Sequence, residues 1–245
     1  MFPIRDTIPS RHLPVAMASL IFANALVFFL ELQLPPEAVE GFFQRFGVVP
    51  ALITQPEQRP AGVGNEVYGT LLTSMFLHGG WLHLISNMWI LYIFGDNVED
   101  RMGIIRFLAF YLLCGVVSAL VHLSTNLHST LPTVGASGAI AGVMGAYLLM
   151  YPRARVLTLI PIFFYPLFVE LPAVTYLGIW FLLQLLSGTA ELGAAEVSSG
   201  IAFWAHIGGF LCGMVTYRWF LQPESKDSWP VRKPRDVVLI RRDEG

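Results

Sequence analysis

The chain has 245 residues, 55% of them hydrophobic and only 13% charged, with a mean hydropathy of +0.60. An ordinary soluble domain carries about 25% charged residues, so the composition excludes one and favours a protein embedded in a bilayer. The formal net charge of -2 selects no partner class by itself, because membrane proteins distribute charge by side.

Nearly uncharged stretches recur at the length of a membrane-spanning helix, roughly 18–20 residues. Six spans are expected, at 14–32, 81–97, 104–123, 137–151, 170–187 and 200–220. They divide the chain into an N-terminal segment 1–13, a six-helix membrane domain 14–220 and a basic tail 221–245. The expected fold class is therefore all-α, a six-transmembrane-helix bundle. An even count puts both termini on one side. Arg5, Arg11, Arg101, Arg106, Arg153, Arg155, Arg218, Lys226, Arg232, Lys233, Arg235, Arg241 and Arg242 then share that side, 13 of the 15 Lys and Arg residues. The positive-inside rule makes it cytoplasmic, and only Arg45 and Arg59 fall outside.

The first span is too long for a signal-peptide core, and no small-x-small cleavage site follows it closely. Behind it, "EGFFQRFGVVPALI" (40–53) mixes phenylalanines with Glu40, Gln44 and Arg45. It reads either as an interfacial helix or as an apolar loop packed on the bundle. In the second span, His83 and Asn87 are four residues apart, which puts them on one helix face a turn apart. Strongly polar side chains inside a span are costly and take a functional or a paired structural role. Cys114 and Cys212 lie in apolar runs and read as inert buried thiols.

The fourth span opens with "GASGAIAGVMGAYLLM" (135–150). Ser137 stands at its start, where backbone N–H groups of the first turn lack intrahelical partners and can donate to a developing negative charge. Alone, Ser137 reads more simply as an N-cap. Ser137, Ala141 and Gly145 recur along one stripe, with Gly138 and Gly142 alongside. The next apolar run, "VLTLIPIFFYPLFV" (156–169), is broken by Pro161 and Pro166. It is too short to span and reads as interfacial or re-entrant.

In the sixth span, "AHIGGFLCG" (205–213) sets His206 roughly 9 Å inside the expected helix end, with Gly209 and Gly213 on the same face. Small residues on two helices let their backbones approach, so a serine on the fourth span can meet a histidine on the sixth. Under the six-span topology Ser137, His206, His83 and Asn87 share one depth on the outer side. His206 is the candidate base that turns Ser137 into a nucleophile. No Asp or Glu stands in an outer position to orient it, so a dyad is expected rather than a triad. The Ser137 N–H, the Asn87 amide and the His83 imidazole are suitable donors for an oxyanion hole.

These residues resemble the rhomboid family of intramembrane serine proteases over about residues 65–220. "GASG" (135–138) matches the family's Gly-x-Ser-Gly motif, with Ser137 as nucleophile. "AHIGGFLCG" matches its Ala-His-x-x-Gly-x-x-x-Gly motif, with His206 as general base. "HGGWLHLISN" (78–87) matches its His-x-x-x-Asn segment, which puts His83 and Asn87 at the oxyanion hole. "GDNVEDRMG" (95–103) resembles its Glu-x-x-x-Gly turn through Glu99 and Gly103.

The resemblance implies a six-helix bundle that cleaves other proteins' transmembrane segments near their outer ends, preferring small residues and helices that unwind readily. Its partners would be transmembrane protein substrates and membrane lipid, with no nucleic acid, no metal and no organic cofactor. The implied setting is a multi-pass protein of a prokaryotic plasma membrane with both termini cytoplasmic. The resemblance also suggests "LPAVTYLGIWFLLQLL" (171–186) as a lateral gate and "GTAELGAAEVSSG" (188–200) as a cap.

Two departures stand out. "VYGTLLTSMF" (67–76) lacks the Trp-Arg pair that many relatives carry in the first loop. Ala141 replaces an aromatic that packs against the base histidine in some relatives, leaving Phe203 or Trp204 as candidates to hold His206. A catalytically silent rhomboid-like binder of membrane helices is the first rival, opposed by the presence of both Ser137 and His206. A small transporter is the second, opposed by the almost purely apolar inner halves of the spans.

Overall fold

The computed structural model describes residues 1–163, 165–192 and 201–223. Most of the expected cap, 193–200, and of the basic tail, 224–245, lie outside the described residues. In chain order the elements are β1 (Phe2–Asp6), α1 (Val15–Glu31), α2 (Pro36–Phe46), α3 (Pro50–Thr54), α4 (Thr70–Thr73), α5 (Trp81–Met102), α6 (Ile104–Thr125), α7 (Ser137–Met150), β2 (Arg155–Ile162), β3 (Tyr165–Pro172), α8 (Ala173–Leu192) and α9 (Phe203–Phe220), with short 3-10 turns before α3's successor α4 and before α5.

Each expected span overlaps one helix of the set α1 and α5–α9. Among the described residues, two helices are long and apolar enough to cross a membrane by length and composition. They are α6, with a mean hydropathy of 2.3, and Ala173–Glu191 of α8, with 1.4. Helices α1 and α7 are apolar but shorter. Helix α5 continues past its expected end at residue 97 through Glu99 and Asp100 to Met102. It stops at Gly103, whose φ of 75° is a conformation that L side chains rarely adopt.

Helix α7 is the axis of the bundle, with every residue from Gly138 to Tyr147 buried. A helix apolar on all sides can be surrounded, and this one combines that property with glycines where neighbours come closest. A Cβ on Gly209 would lie 2.0 Å from the Gly138 carbonyl oxygen, and one on Gly213 would lie 1.9 Å from that of Gly142. A Cβ on Gly145 would lie 2.2 Å from the Phe210 carbonyl oxygen. Glycine is thus required along the α7–α9 seam. On the α6 side, a Cβ on Gly138 would strike Ser118 and one on Gly142 would strike Cys114. Cys114 and Cys212 are both free thiols.

The all-α expectation is incomplete. The run 156–169 forms neither a re-entrant nor an interfacial helix: it belongs to the antiparallel hairpin β2–β3, and β1 adds to it in the order β1-β2-β3. Within the N-terminal segment 1–13, Phe2 pairs with Leu159 and Asp6 with Val156. Pro161 lies opposite Pro166 beside the turn, so the two missing N–H groups fall together where a ladder tolerates them best. Val156 and Thr158 point into the bundle and are fully buried. The alternate residues are apolar too, which hides the period of two from the sequence.

In the first long loop, α2 is a helix with no buried residue, and Arg59 ties the loop together. Its Nε donates to the Leu52 carbonyl at 2.6 Å, and its guanidinium lies over the Tyr68 ring.

At the other end of the bundle, polar groups tie β1, α1, α5 and α7 together. Pro14 offers α1 no side-chain cap. Glu99, 4% exposed, supplies one from α5: its two carboxylate oxygens accept the Ala16 and Met17 N–H groups, each at 2.8 Å. An anion at a helix N-terminus also complements the helix dipole. Asp100 accepts the Arg11 and His12 N–H groups at 2.5 and 3.0 Å. Tyr147 donates its hydroxyl to Asp6, as does the Asn97 amide.

Candidate active site

Ser137 is the first residue of α7, reached through Gly135, whose φ of 127° suits glycine and whose N–H donates to the Ser74 carbonyl at 2.8 Å. Helix α9 begins at Phe203, later than the sequence suggested, so His206 lies in its first turn rather than about 9 Å deep. The α7–α9 seam puts these two residues side by side. Ser137 Oγ lies 2.8 Å from His206 Nε2, a hydrogen bond between residues 69 apart in the chain.

The other ring nitrogen, Nδ1, lies 2.8 Å from Gln184 Oε1 on α8. An amide oxygen only accepts, so with Oε1 facing the ring Nδ1 is the donor and Nε2 is left to receive a proton from the serine. The sequence reading missed Gln184 and looked to Phe203 or Trp204. Trp204 instead donates its indole N–H to the Gly188 carbonyl at 3.1 Å. The aromatic beside the histidine is Trp180, with ring centroids 6.0 Å apart.

His83 and Asn87 on α5 face the same corner. A Cβ on Gly135 would lie 2.7 Å from His83 Nε2 and 3.7 Å from Asn87 Nδ2, so the glycine lets both side chains reach the loop that carries Ser137. Asn87 is buried, and among the described residues nothing accepts a hydrogen bond from its Nδ2. His78, which the sequence reading passed over, is 1% exposed and lies 5.0 Å from the His83 ring. Burial, with His83 beside it, pushes its imidazole down to about 4.

A cavity of about 550 Å³ joins these groups, lined by Ser137, His206, His83, Asn87, Ser118 and His122 among others. His122 is held by Thr133, whose Oγ1 lies 2.9 Å from Nε2. The serine, histidine and asparagine side chains in the cavity wall can hydrogen-bond water. Among the described residues no cluster of three His, Cys, Asp or Glu side chains could hold a metal ion. Glu99 and Gly103 lie away from this cavity, in the polar knot and the α5–α6 turn.

The family model of the Rhomboid domain matches residues 65–223, more than half of the chain. The chain belongs to the rhomboid family. RHOMBOID-like protein 6, mitochondrial, of Arabidopsis thaliana is 42% identical over 85 residues, 35% of this chain and 27% of that protein. Presenilin-associated rhomboid-like protein, mitochondrial, of Mus musculus is 28% identical over 225 residues, 89% of this chain and 51% of that protein. Rhomboid protein 1, mitochondrial, of Saccharomyces cerevisiae is 28% identical over 156 residues, 62% of this chain and 41% of that protein. The match therefore spans between about a quarter and about half of the length of these rhomboid relatives. Their mitochondrial names and eukaryotic sources overturn the expectation of a prokaryotic plasma membrane with both termini cytoplasmic. The physical reason is that Lys and Arg asymmetry reports which helix ends are basic, not which membrane holds them.

Proposed function

We propose that this rhomboid is a serine endopeptidase that cuts transmembrane segments of other proteins within the membrane, close to the end of the bundle where Ser137 lies. In this reading all of α1 and α5–α9 cross the bilayer, and α5, α7 and α9 bring their polar residues to one depth. The observation that carries it is the 2.8 Å contact between Ser137 Oγ and His206 Nε2, made by two helices that only glycine lets approach.

The reaction follows from the donors and acceptors. Ser137 Oγ attacks the scissile carbonyl while His206 Nε2 takes its proton. The tetrahedral oxyanion forms beside the Ser137 N–H, the Asn87 amide and His83. Asn87 Nδ2 is a buried donor with no acceptor among the described residues, as expected of a group whose partner exists only during the reaction. His206 then gives the proton to the leaving amine, and water from the cavity releases the acyl group by the same steps in reverse. A helical peptide bond is shielded by its own hydrogen bonds, so substrates that unwind near the cut are preferred. No cofactor takes part.

A fluorophosphonate probe tests the reading together with a model membrane helix bearing an Ala- and Gly-rich segment near one end. The wild-type protein is expected to label and to cut that segment, located by product mass, and Ser137→Ala to do neither. Folded wild-type protein that neither labels nor cuts would overturn the hydrolase reading.

A further inference from the structure

We infer that Gln184 is a positioning residue that fixes the tautomer and the ring orientation of His206, completing a Ser137–His206–Gln184 relay; its catalytic consequence rests on the hydrolase reading above. From Ala173 to Ala190, α8 contains one side chain that is charged, imidazole or amide, and it is Gln184. A lone amide in a membrane helix is unfavourable unless it finds a partner, and this one finds the base histidine. The contact is set by a register, not by a chance rotamer. Trp180, Gln184 and Gly188 recur every four residues, so they form one stripe, and each meets α9. Trp180 packs on Phe210 with centroids 5.7 Å apart, Gln184 meets His206, and the Gly188 carbonyl accepts the Trp204 indole N–H. Phe181 stacks on Phe210 at 4.7 Å and locks the same pairing.

A neutral imidazole has two tautomers, and only the one protonated at Nδ1 leaves Nε2 able to accept from Ser137. Gln184 Oε1, the end that faces the ring, accepts from Nδ1–H; an amide turned end for end would instead donate to a bare Nδ1 and favour the other tautomer, so histidine nitrogen-15 spectra decide between the two. The amide does for the ring what a carboxylate does in a triad, without adding a negative charge inside the bundle. Through Oε1 it favours the Nδ1–H tautomer, but it offers the developing imidazolium less electrostatic help than a carboxylate would. Ala141 leaves no aromatic to hold the ring from α7, so the burden of orientation falls on α8.

The test uses full-length protein with Gln184→Met, which keeps the length but removes the acceptor, and Gln184→Glu, which keeps an acceptor oxygen whether ionised or not. With the model membrane helix, Gln184→Met is expected to lower kcat by about 10–100-fold, the range found for groups that orient a metal-bound imidazole. KM should stay within about twofold, and Gln184→Glu should recover most of the loss. In parallel, nitrogen-15 histidine spectra, with the His206 signals identified by comparison with His206→Asn, read the tautomer without any turnover. The wild type should be mainly Nδ1–H and Gln184→Met mainly Nε2–H. A wild type that is mainly Nε2–H, or a Gln184→Met variant with unchanged tautomer and kcat, overturns the inference while leaving the hydrolase reading intact. A Gln184-dependent tautomer in a protein that never labels with fluorophosphonate keeps the positioning inference and removes the hydrolase.

Discussion

Two polar clusters lie at opposite ends of the same bundle, and they differ in what their hydrogen bonds are doing. Around Glu99 and Asp100, carboxylate oxygens are occupied by backbone N–H groups of the chain leading into α1. Around Ser137, Asn87 Nδ2 meets no acceptor among the described residues, and it borders a cavity. A polar group buried without a partner costs free energy, so the first cluster reads as architecture and the second as a place kept for something transient. The two ends should therefore respond oppositely to substitution, with activity lost at one and stability lost at the other.

The largest expected effect is at the open cluster. Ser137→Ala or His206→Ala should reduce hydrolysis of the model membrane helix by at least about 10⁴-fold, as removal of members of such constellations does, while thermal unfolding stays close to wild type. Retained activity in His206→Ala would end the dyad. Asn87→Ala comes next. Its kcat should fall by about 10²–10³-fold, equivalent to about 2.7–4 kcal/mol of transition-state stabilisation. Its melting temperature should barely move, because the deleted amide donor had no partner to lose. A large loss of stability with little change in kcat would turn Asn87 into a structural residue.

Much of the open cluster could be read in the sequence, because its chemistry demands residue types that a membrane helix otherwise avoids. Ser137, His206, His83 and Asn87 announced themselves that way, and the glycine stripes of α7 and α9 showed which helices would touch. Gln184 obeyed the same rule and was missed, since one amide inside a long apolar run looked like noise until its stripe with Trp180 and Gly188 was matched to α9. The hairpin was illegible for a different reason. Val156 and Thr158 at its base pack on the bundle, but the other residues of both strands are mostly apolar too, and so β2 and β3 carry no alternation for a sequence to display. Of the architectural cluster, Glu99 was legible through its resemblance to the family's turn, but its pairing with backbone groups more than 80 residues away is something no local pattern encodes.

That cluster gives the next effect in size. Glu99→Ala strips two buried N–H groups at the start of α1 of their acceptor, and the destabilisation should be about 2 kcal/mol. Activity per folded molecule, measured against the amount of protein that labels with fluorophosphonate, should hardly change. A variant as stable as wild type but slower in kcat would mean that the two ends are coupled, and the contrast between architecture and site would fail.

The smallest effect concerns Asp6, at the edge of the same cluster. Burial pushes its carboxyl above the ordinary value of 3.8, against the opposing pull of the hydrogen bond from Tyr147. The fold therefore prefers the protonated acid. A group whose folded value is raised contributes stability that is fully present below its unfolded value and is lost as pH rises through the folded one. Asp6→Asn resembles the protonated acid and cannot ionise, so it should retain that contribution at every pH. Measured by thermal unfolding, the variant should match wild type below about pH 4 and become slightly the more stable of the two towards pH 7, by less than about 1 kcal/mol. A variant that instead loses ground to wild type as pH rises would show that the ionised carboxylate is what holds Tyr147 and Asn97. The site-side cavity should be indifferent to this change, since β1 reaches it through neither Ser137 nor His206.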